Sequence, residues 1–380
     1  MDGFIRTLVT IVLFFGILGL LVLVHEVGHF ITARLFKVRV LEFGVGFPPR
    51  ARVLRDQGET VYTLNWLPIG GFVKLEGEDG DEADDPRSFA SQPLWKKLVI
   101  LLAGVVMNVV LAFAIFAGIA LTGDPAIGVY VPYVDPGSPA ETASVRVGDV
   151  IERVEGQAYG MFTGLEPLLD DLRDQAGQTV ALTVRRGDDL VELTATLRTA
   201  DEVDAGKGAL GIGKAAVRDD RGNVVEPGIP LEGRLTRDKV TYPVEDVLGI
   251  GVERTVTATG LIIDGVGQLV TAIVTRPTEP PPASGPVGIA TQIGDVFWSL
   301  GPIVTLYLAG ILSANLAVVN ILPFPPLDGG RMLMLILKRF VGERLSLRAE
   351  RLTYFVGFAM LLAFLVWVTA FDIARGLGGG

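Results

Sequence analysis

Two histidines and a glutamate near the N-terminus are the residues of this sequence best suited to chemistry. His25, Glu26 and His29 lie in the segment VLVHEVGH, which is an H-E-x-x-H motif. On a helix, residues four apart lie on one face, so both imidazole rings can reach one metal ion. Glu26 would then be close enough to act on the water molecule that a catalytic zinc ion keeps at its open position. The motif therefore predicts a zinc site that still needs a third protein ligand.

The motif stands at the end of a strongly apolar stretch. Residues 8–24 contain no charged side chain, and the whole chain of 380 residues has only these two histidines. Ionisable groups inside a bilayer or at its edge are energetically costly, and where they occur they usually serve a function. This placement favours a metal site over a chance occurrence of the motif.

Composition indicates a membrane protein with a sizeable soluble part. Hydrophobic residues make up 49% of the chain, and the formal net charge is −10. The negative charge argues against nucleic-acid binding. The chain has no cysteine, so neither thiolate metal ligands nor disulfides can form. No convincing cleavable signal peptide precedes the motif, and the first apolar segment is expected to remain in the mature protein.

Four segments are long and apolar enough to cross a bilayer as helices, which takes about 20 residues each. Basic residues are concentrated between the first and second segments and between the third and fourth, which predicts that these two loops are cytoplasmic. Both termini and the long second connection are then predicted to lie outside. The four predicted spans are residues 8–34, 98–121, 296–322 and 352–371.

Residues 60–75, within the first loop, read TVYTLNWLPIGGFVKL and predict a β-hairpin. Pro68, Gly70 and Gly71 indicate a turn between two β-rich arms. Phe72 and its apolar neighbours make the segment unusually hydrophobic for a loop. One interpretation is a small soluble hairpin packed on the loop. The favoured one is a hairpin that dips into the membrane beside the metal site, where it would be buried in protein or line a wet cavity.

Residues 123–199 predict a soluble α/β module. Two alternating strands, 179–185 and 190–197, flank a Gly-Asp pair that is typical of a hairpin turn. Charges interrupt the apolar face of a later helical segment, residues 244–275, which predicts an amphipathic helix at the outer membrane surface. The predicted organisation is a membrane core (1–122 and 296–380), the α/β module (123–199), and a linker with the surface helix (200–295).

A second polar motif, NILPFPPLDG, follows the third predicted span. Proline cannot continue a helix, so Pro323 and Pro325 should break the span and turn Asp328 out of the helical path. The basic residues place Asp328 on the same side of the membrane as His25 and His29. A lone aspartate at a helix end is usually a cap or a solvated charge. Its pairing with the H-E-x-x-H motif makes Asp328 the best candidate for the third ligand.

Together these motifs resemble the site-2 protease family of intramembrane zinc metalloproteases, peptidase family M50. Within that family the chain is similar to the branch of the bacterial regulator of sigma-E protease. It departs from the best-known relatives in having one PDZ-like module instead of two. It also has Val105 after Gly104, a position that is often proline in the family. The resemblance rests on H-E-x-x-H, Gly70-Gly71-Phe72, N-x-x-P-x-P-x-L-D-G, SGPVG at 284–288, and a PDZ-like insertion with GSPA at 137–140.

The residues and the resemblance together imply a fold and a site. The fold is a multi-pass α-helical membrane protein with four transmembrane helices, a membrane-dipping β-hairpin and one inserted α/β PDZ domain. A zinc ion would be held by His25, His29 and Asp328, with Glu26 as the catalytic base. Residues expected to bind substrate or the developing oxyanion are Gly70, Gly71, Phe72, Asn108, Asn320, Pro323 and Pro325.

The resemblance also implies a location and a substrate. The expected location is the bacterial inner membrane, with the active site near the cytoplasmic side and the PDZ domain outside. The expected substrate is the transmembrane segment of a single-span protein such as an anti-sigma factor, cut after a first external cleavage, or a signal-peptide remnant. The alternatives are a membrane metal-binding or transport protein, against which Glu26 argues, and an inactive PDZ scaffold, against which the intact set of site residues argues.

Overall fold

The structure is a computed structural model, and the chain divides into two compact units, Ile119–Val247 and the remainder. It describes residues 2–56, 58–78, 85–204, 207–214, 217–218, 224–226, 228–276, 279–341 and 347–378. In chain order the elements are α1 (Asp2–Leu35), β1 (Val40–Arg55), β2 (Val61–Leu75), α2 (Leu94–Thr122), β3 (Asp124–Tyr130), α3 (Pro139–Thr142), β4 (Val150–Val154), β5 (Gln157–Gly160), a 3₁₀ turn (Met161–Thr163), α4 (Glu166–Asp174), β6 (Thr179–Arg186), β7 (Asp189–Thr196), α5 (Ala200–Asp204), β8 (Val217–Arg218), β9 (Val224–Glu226), β10 (Glu232–Val240), α6 (Val247–Thr275), α7 (Pro286–Leu300), α8 (Pro302–Ile321), α9 (Asp328–Val341) and α10 (Leu347–Gly378).

Five helices within the described residues are long and apolar enough to cross a membrane: α1, α2, α6, α8 and α10. The chain is therefore a multi-pass membrane protein by composition, but the predicted count of four spans is not confirmed. The additional helix is α6, which the sequence analysis assigned to the membrane surface. Ala258, in the middle part of α6, packs with Phe116 of α2 and Ala314 of α8. At this point α6 lies against two other candidate spans.

The prediction of one continuous span over residues 296–322 is wrong at its start. The helix breaks at Gly301, which has a φ of 88° and separates α7 from α8. Such a φ is accessible to glycine at little cost, and the following Pro302 suits the first position of a new helix. The third predicted span is therefore α8 alone, and α7 is a separate helix that packs on α1.

The apolar segment of the first loop belongs to a larger sheet. β2 pairs with β1, and Phe43 in β1 is paired with both Tyr62 and Val73 of β2. The two arms of β2 thus flank β1 and do not form a hairpin with each other, so the predicted pairing within residues 60–75 is wrong. The predicted turn is present, with Gly70 at a φ of 71°. A turn signal marks where the chain reverses, but it does not identify the partner of each arm.

The second unit contains a six-stranded antiparallel sheet in the order β10-β3-β5-β4-β6-β7. Its core includes Ile151 and Leu182 from the sheet and Leu168 from α4, all fully buried. β6 and β7 are joined by the predicted two-residue turn, in which Gly187 has a φ of 62°. The two strands predicted for this α/β module are therefore present, and α4 supplies its helical part.

This unit is longer than the sequence predicted. β10 pairs with β3 from Glu232 opposite Tyr130 to Val240 opposite Asp124, and it forms one edge of the sheet. The predicted end of the module at residue 199 is therefore wrong, and much of the predicted linker belongs to the sheet. The sequence of β10, EGRLTRDKV, is rich in charge, as expected of an edge strand that must not pair further. Such a strand is hard to distinguish from a linker by composition.

Candidate metal centre

Three side chains of metal-ligand type meet where α1 faces the start of α9. His25 and His29 lie one turn apart on α1. α8 ends at Ile321, and Asp328 begins α9 after a short non-helical segment. The predicted helix break before Asp328 is therefore present. One potential ligand atom from each of these three residues lies within 4.8 Å of the other two.

The separations of these atoms are within about 0.5 Å of those in a tetrahedral zinc site. His25 Nε2 is 2.8 Å from Asp328 Oδ2 and 3.1 Å from His29 Nε2, and His29 Nε2 is 3.4 Å from Asp328 Oδ2. Nitrogen and oxygen ligands of a tetrahedral zinc ion are about 3.3 Å apart. Two imidazoles and one carboxylate are also a donor set that leaves the fourth position open for catalysis. The residues present therefore fit zinc.

Further contacts orient both imidazole rings so that each Nε2 faces the space between the candidate ligand atoms. His29 Nδ1 lies 2.8 Å from the Ile100 carbonyl, which can only accept a hydrogen bond, so the ring proton is on Nδ1. His25 Nδ1 lies 3.2 Å from the side-chain nitrogen of fully buried Asn108, whose Oδ1 has no partner. Turning the amide over would let His25 Nδ1 donate to that oxygen and would satisfy both groups. Each ring would then keep Nε2 free for the metal.

α2 packs closely behind the histidines. Ile100, Gly104 and Asn108 recur every four residues and so form one stripe along the helix. A Cβ atom on Gly104 would lie 2.5 Å from His29 Nε2, and one on Gly28 of α1 would lie 2.4 Å from the α2 backbone. From the sequence, Gly104 was noted only through the family resemblance, and Asn108 was predicted to bind substrate or the oxyanion. Gly104 and Asn108 are four residues apart on an otherwise apolar helix, and this spacing could have predicted that their face of α2 packs against the site.

Glu26 points from α1 to β2, where its Oε2 accepts the backbone N–H of Val73 at 3.1 Å. Two glycines allow the strand to come this close. Gly70 has a φ of 71°, and a Cβ atom there would lie 2.4 Å from Val22 Cγ1. A Cβ atom on Gly71 would lie 2.7 Å from a backbone oxygen of β1. The glycine pair therefore positions a strand edge directly beside the glutamate.

A cavity of about 180 Å³ connects this strand edge to the ligand residues. Its lining includes His29 and Asp328, Glu26, and the ion pair between Glu78 and Arg331. The β2 residues that line it are Gly71, Phe72, Val73 and Leu75. Burial would lower the pKa of Arg331, but the Glu78 carboxylate raises it above the usual value, so the guanidinium group remains charged. Neither Glu78 nor Arg331 belongs to a recognised sequence motif, so neither was predicted to lie at this site.

The structure brings some of the predicted substrate-binding residues to this cavity and leaves others apart from it. Gly71 and Phe72 line it. The others lie elsewhere: Gly70 against α1, Asn108 behind His25, Asn320 near the end of α8, and Pro323 and Pro325 in the segment between α8 and α9.

Comparisons with known proteins extend over most of the chain. The model of Peptidase family M50 matches residues 13–364. A candidate zinc metalloprotease of Brucella suis is 28% identical over 96% of this chain and 95% of its own length. Another, from Clostridium perfringens, is 32% identical over 93% of this chain and 95% of its own. Among solved structures, the PDZ domain of an SdrC-like protein from Listeria monocytogenes is 26% identical over 22% of this chain and 84% of that chain. Its TM-score of 0.19 carries no conclusion about this protein.

The family match includes every element that contributes to the metal centre. Residues 13–364 contain the histidines of α1, the Gly104 stripe of α2, and Asp328. The relatives from Brucella suis and Clostridium perfringens align over nearly their entire length. The chain therefore belongs to peptidase family M50, the site-2 protease family, and is a zinc metalloprotease.

Proposed function

We propose that this metalloprotease hydrolyses a peptide bond in the transmembrane segment of a single-span membrane protein. The observation that carries the proposal is the position of the ligand cluster on α1 and just after α8, two helices apolar enough to cross a bilayer. A substrate that itself spans the membrane can approach such a site from the lipid. The favoured substrate is an anti-sigma factor already shortened by an external cut, and a signal-peptide remnant is the next choice.

His25, His29 and Asp328 would hold the zinc ion. Bound zinc supplies a Lewis acid that activates water and polarises the scissile carbonyl. Glu26 takes the proton from the attacking water and later gives it to the leaving amine. Its hydrogen bond from the Val73 N–H supports this role, because it holds the carboxylate beside the cavity.

The substrate must unwind before it can be cut, since a helix uses its carbonyl groups in i→i−4 hydrogen bonds. β2 offers an edge to receive the unwound segment. The Val73 N–H faces Glu26, and backbone groups alternate along a strand, so the amides of residues 71, 73 and 75 share that side. A substrate strand added there would bring one of its carbonyl groups next to Glu26 and the ligand cluster.

The two asparagines have different roles in this proposal. Asn108 is fully buried and contacts His25, which favours a positioning role for it over contact with substrate. Asn320 remains a candidate donor to the oxyanion or to the substrate backbone. Pro323 and Pro325 interrupt the helical path after it and would leave room for the substrate chain.

The six-stranded unit would be the PDZ-like domain. Its antiparallel sheet packed on α4, and the GSPA segment in which Ser138 caps α3, support this assignment. None of the proposed metal ligands lies in this unit. Its role would therefore be to select substrates and not to perform chemistry.

Replacing the proposed third ligand gives a direct test of the metal site. We expect Asp328→Asn to weaken zinc binding about tenfold, because a neutral amide is a poor substitute for an anionic ligand. Zinc content after equilibration with a competing chelator would be measured for the variant and the wild type. Asp372→Asn is the matched control, since Asp372 is another aspartate with little solvent exposure but accepts a hydrogen bond from the Gly288 N–H. Equal zinc affinity of Asp328→Asn and wild type would exclude Asp328 as a ligand.

The proposed orientation places the first loop in the cytoplasm and the six-stranded unit outside, because of the distribution of basic residues. The chain has no cysteine, so single introduced cysteines can report it. Ser91→Cys and Thr142→Cys suit this purpose because both positions are exposed, whereas Ser88 and Ser138 are fully buried. An impermeant thiol reagent applied to spheroplasts should label only Thr142→Cys. Labelling of Ser91→Cys alone would reverse the orientation.

A further inference from the structure

The outer edge of β2 already carries two carboxylates of the same chain. Glu26 accepts the N–H of Val73 at 3.1 Å, and Glu78 accepts the N–H of Leu75 at 3.2 Å. Both amides belong to the part of β2 that lines the cavity. Two backbone donors of β2 that line the cavity are therefore occupied by side chains in this structure.

The alternation of the strand shows that these amides are the ones an added strand would use. The next residue after β2, Glu76, donates its N–H to the carbonyl of Arg39, which immediately precedes β1. Even-numbered amides therefore face β1, and Val73 and Leu75 face away from it. Two residues of a strand span about 6.6 Å, which is also the spacing of alternate carbonyl groups in an extended substrate. Such a substrate, with one carbonyl on the Leu75 amide, would bring the carbonyl two residues away beside Glu26.

A tight turn and an ion pair hold Glu78 in this position. The Glu78 N–H donates to the Leu75 carbonyl at 3.4 Å, and Gly77 has a φ of 70°, so the chain folds back on itself directly after β2. The Glu78 carboxylate is also paired with Arg331, which lies one turn after Asp328 on α9. Glu78 is therefore fixed between the strand edge and the helix that begins with the proposed metal ligand.

We propose that Glu78 occupies the place of a substrate carbonyl on β2 and must be displaced before a substrate can pair along this edge. This inference rests on the proposed addition of the substrate as a strand. An intact helix has no free carbonyl to compete for the Leu75 N–H, whereas a segment unwound over several residues has one. Glu78 and Arg331 thus make the site select for segments that unwind, and Glu78 acts as a specificity-determining residue.

A purely structural role for the ion pair predicts the opposite result. If Glu78 only secures the turn to α9, its removal loosens the strand edge and weakens substrate binding. If it competes with the substrate, its removal tightens binding. The sign of the change in affinity therefore separates the two roles, whatever the rate of hydrolysis.

The test is the affinity for a fluorescently labelled single-span peptide of about 20 apolar residues with a central Asn-Pro pair, measured by anisotropy in detergent. Every protein in the comparison carries Glu26→Gln and is loaded with zinc, so that the peptide stays intact. Adding Glu78→Ala should lower Kd about fivefold, because the net contribution of one hydrogen bond to binding corresponds to about this factor in affinity. Glu78→Gln should lower it less, because the amide oxygen can still accept the Leu75 N–H. Glu59→Ala is the matched control and should not change Kd. It removes another Glu–Arg ion pair, that of Glu59 with Arg87, and neither of these residues lines the cavity.

An unchanged or higher Kd for both Glu78 variants would overturn the inference. If Glu78→Ala fails to fold, as judged by circular dichroism, Glu78→Gln decides the result by the same sign. Cleavage by the chain with Glu26 is measured separately. If that chain cuts no single-span substrate while Glu78→Ala still binds more tightly, the proposed function fails and the inference stands. If it cuts normally and Glu78→Ala binds no more tightly, only the inference fails.

Discussion

Glu26→Gln is expected to lower cleavage of a shortened single-span substrate about a thousandfold while the protein keeps its zinc. The change removes the only proposed proton acceptor, and a positioned general base accelerates a reaction by about 10²–10⁴-fold. Glutamine has nearly the same shape and can still accept the N–H of Val73, so the strand edge should stay in place. The proposed ligands are not altered. Activity should therefore fall without loss of metal.

The measurement combines a cleavage assay in detergent micelles with zinc analysis of the same preparation. Glu253→Gln is the matched control, because it makes the same change at an exposed position on α6, another helix apolar enough to span. Retained cleavage in Glu26→Gln would remove Glu26 from the mechanism. Loss of zinc together with activity would instead assign it a structural role at the site.

The three candidate ligands could be predicted from the sequence because each lies in a local sequence pattern that fixes its position. Two histidines four residues apart in a helix need no tertiary information to be placed on one face. Asp328 could be predicted by a similar argument, since the preceding prolines must end α8. The structure brings all three within hydrogen-bonding distance of one another or close to it.

The features that the sequence did not indicate depend on which elements meet. The Ile100 carbonyl is a backbone group with no sequence signature, and it is positioned only because α2 packs on α1. Glu78 gains its contact with Arg331 from the turn after β2 and from the start of α9, which are 253 residues apart in the chain. β10 joins the six-stranded sheet through long-range pairing with β3. None of these contacts follows from periodicity or from local turn chemistry.

Gly104 shows how such a contact constrains the metal centre. It lies on α2 between Ile100 and Asn108, whose groups hold the two imidazoles from behind. A Cβ atom on Gly104 would lie 2.5 Å from His29 Nε2 and 2.7 Å from His25 Nε2. The rings cannot retreat without losing the hydrogen bonds that orient them. The space beside the ligand atoms is therefore kept open by the absence of a single side chain.

Gly104→Ala is accordingly expected to lower zinc affinity about a hundredfold. Overpacking of a closely packed site costs about 1–3 kcal/mol, and every 1.4 kcal/mol corresponds to a factor of ten in affinity. Here the strain falls on the ligand atoms themselves. Zinc affinity would be measured against a competing chelator, and thermal unfolding of the zinc-loaded protein would be followed in parallel.

Gly118→Ala is the matched control for this substitution. It makes the same change on the same helix, where a Cβ atom would meet no atom within 4 Å. Alanine favours a helix over glycine by about 1 kcal/mol, so the control should be neutral or slightly stabilising. Wild-type zinc affinity in Gly104→Ala would show that α2 does not approach the histidines as closely as this structure places it. Loss of zinc in Gly104→Ala but not in Gly118→Ala would identify the glycine as the residue that leaves room for the metal.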